Sequence, residues 1–470
     1  MKTGSRVLLI VAIFATGLLL AGNAHSQSAQ TPESASPKLT CSPAPCVLPP
    51  TQASEGGGTV TDTPIVTNPL NENDLLLGSV DYNCPEPSAV GFHLSTDGGS
   101  IWNRVDCMPV IYRGVYWPLD EPSAGYDRKG NAYVAGLYFK SEGDSGYVAV
   151  QKSVDGTHWS KPVAALRQTG PSFPVDTSIA VDTSAGSSWV NAVYVSGVMV
   201  LGPGQGKNQV VVSHSTDGGD TWTQAALDPV QQYPEEDRLT RMAVSKDGTV
   251  YAAWLHCRGK NGGSGGDCPT VHFMLSKSTD GGNTWSAPQR IATVNMHDWQ
   301  LPNTGERVYN YPVIGADNSD GPHSSNLYVA MYTWTGTYLR VQVIRSTDGG
   351  TTWSQPVPLA PKSDTHDQFS PSISVSSTGK VGVSWLDRRN DPNDINYQAF
   401  AVISEDGGQS FGANWQLTTA FSDPRVNGTE NNWMGDYTGN TWTGDTFIAA
   451  WMDSSNGTDM QEVVGGVRLH

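Results

Sequence analysis

Six short segments of the chain are rich in carboxylates. They are Leu119-Asp120-Glu121, Pro174-Val175-Asp176, the run from Tyr233 through Glu235, Glu236 and Asp237 to Arg238, Gly305-Glu306-Arg307, His366-Asp367 and Glu430-Asn431-Asn432-Trp433. Carboxyl groups that meet at one point can share protons or separate in pKa. One then serves as an acid and another as a base or nucleophile, which is what acid–base cleavage of a glycosidic bond requires. The candidates for that work are Asp176, Glu236, Asp367 and Asp436. Arg241 and Arg388 are candidate ligand binders, because a guanidinium can clamp a ligand oxygen pair with two parallel hydrogen bonds. Tyr437, next to Asp436, joins them. Each side chain has a plainer use open to it: a carboxylate can cap a strand end, pair with arginine or face water. Arg388 and Arg389 can tie into Asp387, Asp391 and Asp394. Those three aspartates could also take Ca²⁺, although EF-hand spacing is absent. No metal-ligand set is assigned, and no cofactor is required.

Segments this far apart in sequence can meet only if a repeat brings them together. One phrase recurs six times, with its aspartates at Asp97, Asp155, Asp217, Asp280, Asp348 and Asp406, 58 to 68 positions apart. A full copy runs Ser215-Thr216-Asp217-Gly218-Gly219-Asp220-Thr221-Trp222. The second copy is one residue short, and the sixth ends in Phe411. Asp followed by Gly-Gly suits a hairpin turn, in which Ser and Asp satisfy backbone donors and the aromatic ring packs beneath. An apolar strand precedes each phrase and a polar one follows it. Two more strands lie upstream, as in Leu239–Val244 and Thr249–Trp254 around the Lys246-Asp247-Gly248 turn. Four short strands in about 60 residues, repeated, are the pattern of propeller blades.

The expected fold is therefore all-β, a propeller of four-stranded antiparallel blades. Six units carry the phrase. After Thr418, segments around Met434–Tyr437, Thr446–Trp451 and Glu462–Arg468 read as three further strands without it. A strand from around residues 56–62 would complete this last blade, for seven blades in all; six is the alternative. The phrase falls between the third and fourth strands, on the rim of one face. The loops entering the inner strands gather on the other face, around the channel, so the acidic segments would converge there.

The Ser-x-Asp-x-Gly-x-x-Trp phrase resembles the Asp box, or BNR repeat. Over about residues 60 to 470 the chain is similar to the Asp-box propellers of the sialidase superfamily, which include exo-α-sialidases, other glycosidases and non-catalytic propellers. The resemblance implies a propeller with structural Asp boxes. It leaves open whether the chain hydrolyses an extracellular glycan or only binds a glycan or protein. Sialidases hold the substrate carboxylate with three arginines, the first in a Phe/Tyr-Arg-Ile-Pro motif. This chain departs from that pattern: the segment Asp62–Val66 has no arginine, and Tyr112-Arg113-Gly114 does not match.

Composition narrows the partners. With 45 acidic and 28 basic residues the net charge is −17, and no basic cluster stands out to displace phosphate counterions, so nucleic acid is set aside. An acidic surface also disfavours anionic membranes. Residues 1–26 read as a signal peptide, with Lys2 and Arg6 before the apolar run Val7–Leu20; a membrane anchor is the alternative. Residues 27–58 read as a flexible Ser/Pro/Gly-rich lead-in and 59–470 as the propeller, secreted or periplasmic and monomeric. Six cysteines in an exported chain suggest disulfides, by proximity Cys41–Cys46, Cys84–Cys107 and Cys257–Cys268.

Overall fold

The computed structural model describes residues 41–470, apart from 85–88, 113–114, 117–118, 140–144, 168–171, 203–205, 260–267 and 429–431. The expected signal peptide, residues 27–40 of the lead-in, Arg113 and Glu430 lie outside the described residues. Seven four-stranded antiparallel sheets form the ring of a β-propeller, and every regular element among the described residues is a strand. Blade 4 shows the plan. Its strands Glu235–Val244, Val250–Arg258, Thr270–Ser278 and Gln289–Asn295 run outward from the channel, each paired with the one before. Middle strands are buried on both faces because neighbouring blades pack against each side. Val381–Asp387 and Gln398–Ser404 of blade 6 are buried at every position.

The ring closes through the N-terminus, but not with the expected residues. In blade 7 the strands Gly439–Thr443, Thr446–Asp453 and Gln461–Arg468 are completed on the outside by Cys46–Gln52. Residues 60 and 61 pair instead with Asp81 and Val80, at the inner edge of blade 1. The segment Met434–Tyr437 precedes the inner strand of blade 7 rather than forming it. The expected flexible lead-in thus holds the closing strand within its second half. An edge strand needs partners on one side only, so it tolerates Pro49 and Pro50 at the register shift between Leu48 and Thr51. Leu48 anchors it, 1% exposed in a cluster with Ala53, Ile448 and Val464. A fully buried pair also spans the seam: His93 Nδ1 of blade 1 lies 3.1 Å from Glu462 Oε2 of blade 7. Burial pushes the Glu462 carboxyl up to about 7. All three disulfides join the cysteines nearest in sequence, Cys41–Cys46, Cys84–Cys107 and Cys257–Cys268.

The six Ser-x-Asp hairpins sit between the third and fourth strands of blades 1 to 6. In blade 3, Ser215 Oγ donates to Asp217 Oδ1 (2.7 Å) and accepts from Gly219 N (2.8 Å), while Asp217 Oδ1 accepts from Thr221 N (3.0 Å). Trp222 Nε1 donates to Gly219 O at 2.9 Å, which folds the ring under the turn. Glycine is required where hairpins meet the neighbouring blade. A Cβ on Gly281, which has φ +72, would lie 2.3 Å from the Trp189 ring.

Ring closure by residues 46–52 predicts that Leu48→Ala lowers stability by about 2–5 kcal/mol, the range for an unfilled core site. Leu70→Ala, at a side chain 67% exposed, is expected to stay within about 0.5 kcal/mol of wild type. Denaturant unfolding of both variants checks this; equal midpoints would contradict the closure.

Candidate functional site

The inner strands share a local irregularity that builds the site. In blades 2, 3, 4 and 6 the first strand slips register against the second, and a non-glycine residue at the slip has a positive φ. These residues are Glu121 (φ 52), Asp176 (57), Leu239 (61) and Ser370 (47); Asp62 (59) occupies the corresponding point in blade 1. Such a conformation costs about 1 kcal/mol or more per residue and persists only where its surroundings hold it. Here the acids find hydrogen bonds to neighbouring blades, and at Asp176 an ion pair. Glu121 accepts from the N–H groups of Asp176 (2.8 Å) and Thr177 (2.7 Å). Asp62 Oδ1 accepts from Asp436 N (2.6 Å) and Tyr437 N (3.3 Å). Asp176 Oδ2 accepts from Arg238 Nε (2.8 Å), and its carbonyl accepts from Thr240 Oγ1 (2.6 Å).

Above these stitches the channel opens into a charged, aromatic mouth. Arg307 grips Asp436 at two points, Nε to Oδ1 at 3.0 Å and Nη2 to Oδ2 at 2.7 Å, and Trp433 Nε1 donates to the same Oδ1 at 3.1 Å. Tyr309 lies beneath two guanidinium groups, 4.9 Å from Arg307 and 5.9 Å from Arg238. Arg241 stacks 3.7 Å above Tyr311 and 4.5 Å from Tyr437. Tyr309, Tyr311 and Tyr437 touch edge to face in sequence, and the Tyr437 hydroxyl donates to Pro122 O at 2.7 Å. Tyr82 stands on the same side, 40% exposed.

Burial and crowding hold protons in this mouth. Asp120, partly exposed, is pushed up to about 6, first by burial and then by the Asp436 charge, against its bond from Glu121 N and the pull of Arg307. Glu121 is raised to about 8 by burial and by Asp176 and Asp120, against its two N–H donors. Asp62 is raised well above the carboxylate range by burial, Asp436 and Asp120. Burial also raises the phenols of Tyr309, Tyr311 and Tyr437. Burial disfavours the Arg307 charge, but Asp436 and neighbouring groups override it and leave its pKa raised.

Four of the expected residues therefore meet: Asp176, Asp436, Arg241 and Tyr437. Glu236 shares the inner strand of Arg241 alone, with Oε1 3.6 Å from Cys257 Sγ, beside the Cys257–Cys268 disulfide. Asp367 and Arg388 form an ion pair at 3.1 Å with both side chains 0% exposed. Arg388 also donates to Pro302 O (2.7 Å) and Thr304 Oγ1 (3.0 Å), so this pair ties blade 6 to the loop before blade 5. Of the acids weighed for Ca²⁺, Asp391 accepts from the N–H groups of Asn393, Ile395 and Asn396, Asp387 pairs with Arg389, and Asp394 accepts from Asp367 N.

Sequence reasoning did not single out Asp62, Asp120, Glu121, Arg238, Arg307, Tyr309 or Tyr311. Four of them, Asp120, Glu121, Arg238 and Arg307, stood in the acid-rich segments. Tyr309 and Tyr311 had only their alternation as a signal. Three arginines do gather at the tyrosine wall, from blades 4 and 5, and two of them are already held by Asp176 and Asp436.

No protein-family model matches the chain, and no curated protein matches it. Among solved structures, the chain is similar to a Hadza microbial sialidase, Hz136, at TM-score 0.48 and 15% identity over 81% of this chain and 73% of that one. It is similar to the GH93 α-L-arabinofuranosidase of Fusarium graminearum, solved with arabinobiose, at TM-score 0.48 and 13% identity over 76% and 98%. A Penicillium chrysogenum α-L-arabinanase, also with arabinobiose, gives TM-score 0.48 and 13% identity over 73% and 94%. By name, the three are a sialidase, an α-L-arabinofuranosidase and an α-L-arabinanase.

The raised mouth acids set a sign for stability against pH. Each holds a proton in the folded chain that the unfolded chain releases. Their contribution is complete below the unfolded values and is lost as pH rises through the folded ones. For Asp120 that window runs from 3.8 to about 6, and for Glu121 from 4.5 to about 8. Asp62→Asn keeps the Oδ1 acceptor but removes one titration. Its unfolding free energy is expected to fall less between about pH 4 and 7 than that of wild type. Denaturant titrations across that range check this; parallel curves would contradict the buried-acid account.

Proposed function

We propose that this chain is an exported glycoside hydrolase whose active site is the channel mouth. The observation that carries the reading is Asp120, partly exposed, lifted to about 6 by burial and by Asp436, within the field of the Arg307–Asp436 pair. One carboxyl thus keeps a proton up to about pH 6, while its neighbour takes a two-point guanidinium bond. Asp120 donates the proton to the departing glycosidic oxygen. Asp436 acts as base or nucleophile on the other side of the sugar. Arg307 positions Asp436, and Asp176 positions Arg238. Arg241 supplies N–H donors, and Trp433 and Tyr82 offer faces to a sugar ring. Glu236 and Asp367 serve the fold in this reading.

Five mouth acids, Asp62, Asp120, Glu121, Asp176 and Asp436, face three arginines, two of them already paired. Asp176 and Asp436 neutralise two of the three guanidinium charges, which suits a neutral glycan better than an acidic sugar. A sialoside remains the second substrate class to test, because three arginines gather on one wall. Three disulfides and the N-terminal signal reading support action on extracellular glycans, outside the cytosol. A non-catalytic glycan- or protein-binding propeller is favoured by one observation: Arg238, Arg307 and the Tyr437 hydroxyl all have partners within the protein.

Hydrolysis of a fluorogenic panel of neutral glycosides and a sialoside separates these readings. A turned-over substrate is expected to show kcat/KM falling as pH rises through about 6, where Asp120 loses its proton. Asp120→Asn is expected to lower kcat by about 10²–10⁴-fold and to abolish that limb. Asp217→Ala, in the blade 3 hairpin, is expected to retain activity if folded. Full activity in Asp120→Asn would refute the mechanism. Saturable glycan binding without turnover would favour the binding reading.

A further inference from the structure

The seam between the first and last blades carries a buried pair that the mouth does not use. His93 stands on the third strand of blade 1, Ala89–Ser95, and Glu462 on the third strand of blade 7, Gln461–Arg468. Both side chains are 0% exposed, with His93 Nδ1 3.1 Å from Glu462 Oε2. His93 Nε2 and Glu462 Oε1 have no hydrogen-bond partner among the described residues. Around the pair the seam is apolar, with Leu48, Leu77, Ile448 and Val464 in one cluster. We propose that His93 and Glu462 form a proton-operated latch: while the pair keeps its proton the ring stays closed, and loss of that proton at alkaline pH loosens the N-terminal closing segment.

The proton decides because of where the pair sits. An imidazole and a carboxyl that share one proton carry no net charge, whichever of them holds it. Without it, a carboxylate faces a neutral imidazole in an apolar seam, and a buried charge without a counter-charge is strongly destabilising. A second proton is better tolerated, because another carboxyl stands near. Asp81, on the strand beside His93, is buried, and its charge reaches Glu462. Gly91 makes room for it: a Cβ there would lie 2.9 Å from Asp81 Oδ2. The latch therefore fails on the alkaline side. Burial pushes the Glu462 carboxyl up to about 7, against the pull of His93 and with the push of Asp81. A carboxyl raised in this way contributes stability that is complete below 4.5 and is lost as pH rises through about 7.

The closing segment is tied to the backbone of Glu462 itself. Ala53 N donates to Glu462 O at 2.8 Å, and Glu462 N donates to Ser54 Oγ at 3.1 Å, just past the closing strand Cys46–Gln52. A displaced Glu462 thus releases residues 46–54. Two other acids touch the seam, at its ends. Asp62 caps Asp436 N at the mouth. Glu72 is exposed on the hairpin face, where its Oε2 would lie 3.2 Å from a Cβ on Gly444.

Hydrogen exchange of the full chain, read by mass spectrometry between about pH 5 and 8 and corrected for base catalysis of exchange, tests the latch. Protection of residues 46–54 is expected to fall about tenfold or more as pH rises across that range. Val381–Asp387, buried in blade 6, is expected to change by less than about threefold. Glu462→Gln, which cannot ionise, is expected to flatten the profile of 46–54, and Asp62→Asn to leave it as in wild type. A wild-type profile without pH dependence, an equal fall in blade 6, or a dependence that survives in Glu462→Gln would overturn the latch. Should Glu462→Gln not fold, Asp62→Asn decides: a profile flattened there assigns the dependence to the mouth and refutes the proposal, and an unchanged one upholds it.

Discussion

The architecture of the mouth depends on one recurring contact: an inner-strand acid, at a point where the backbone turns left-handed, reaching the backbone or a side chain of an adjacent blade. Glu121 caps two N–H groups of blade 3, Asp62 caps two of blade 7, and Asp176 takes the Arg238 guanidinium of blade 4. The bulge aims each side chain, and the bonds hold the bulge. Burying acids this way crowds negative charge around the channel. Proton retention at Asp120 and Glu121 follows first from burial and then from that crowding, and Arg307 stands against Asp436. The stitching that joins the blades also tunes the acids exposed above it.

A division of labour between the two faces follows. On the hairpin face, Ser and Asp side chains are spent on turn N–H groups, and Trp rings are folded under glycine carbonyls. Those hairpins make rigid, repeated blade ends. On the other face the loops differ from blade to blade, and rare combinations occur: an arginine on two tyrosines and a forked ion pair over a third. The proposed function sits where the repeat is weakest.

The repeat made most of the ring legible in the sequence, because a Gly-Gly turn flanked by Ser, Asp and Trp carries its own local physics. The closing strand was harder to see. Its Pro49-Pro50 pair argues against a strand anywhere except a sheet edge, and its pairing with residues 463–468 leaves no local mark. The bulges were hidden for another reason. Glu121, Asp176, Leu239 and Ser370 take a backbone conformation that sequence reading assigns to glycine, and only contacts between blades hold them there. Asp176, Asp436, Arg241 and Tyr437 could be singled out by type and position. Their partners could not, since Arg238 and Arg307 lie 62 and 129 positions from the acids they bind. Asp367 and Arg388 show the converse: acid-rich context drew attention to a pair that the fold seals away.

The central claim is that Asp120 stores a proton at the mouth up to about pH 6, above the ordinary aspartate range, available to a leaving group. The most direct test is a carbon-13 NMR titration of labelled aspartate carboxyls in the folded protein. The account predicts one carboxyl resonance titrating near 6 that is missing from Asp120→Asn. If every aspartate resonance assigned to the mouth titrated in the ordinary carboxylate range near 4, the mouth would hold no such acid, and the claim would fail.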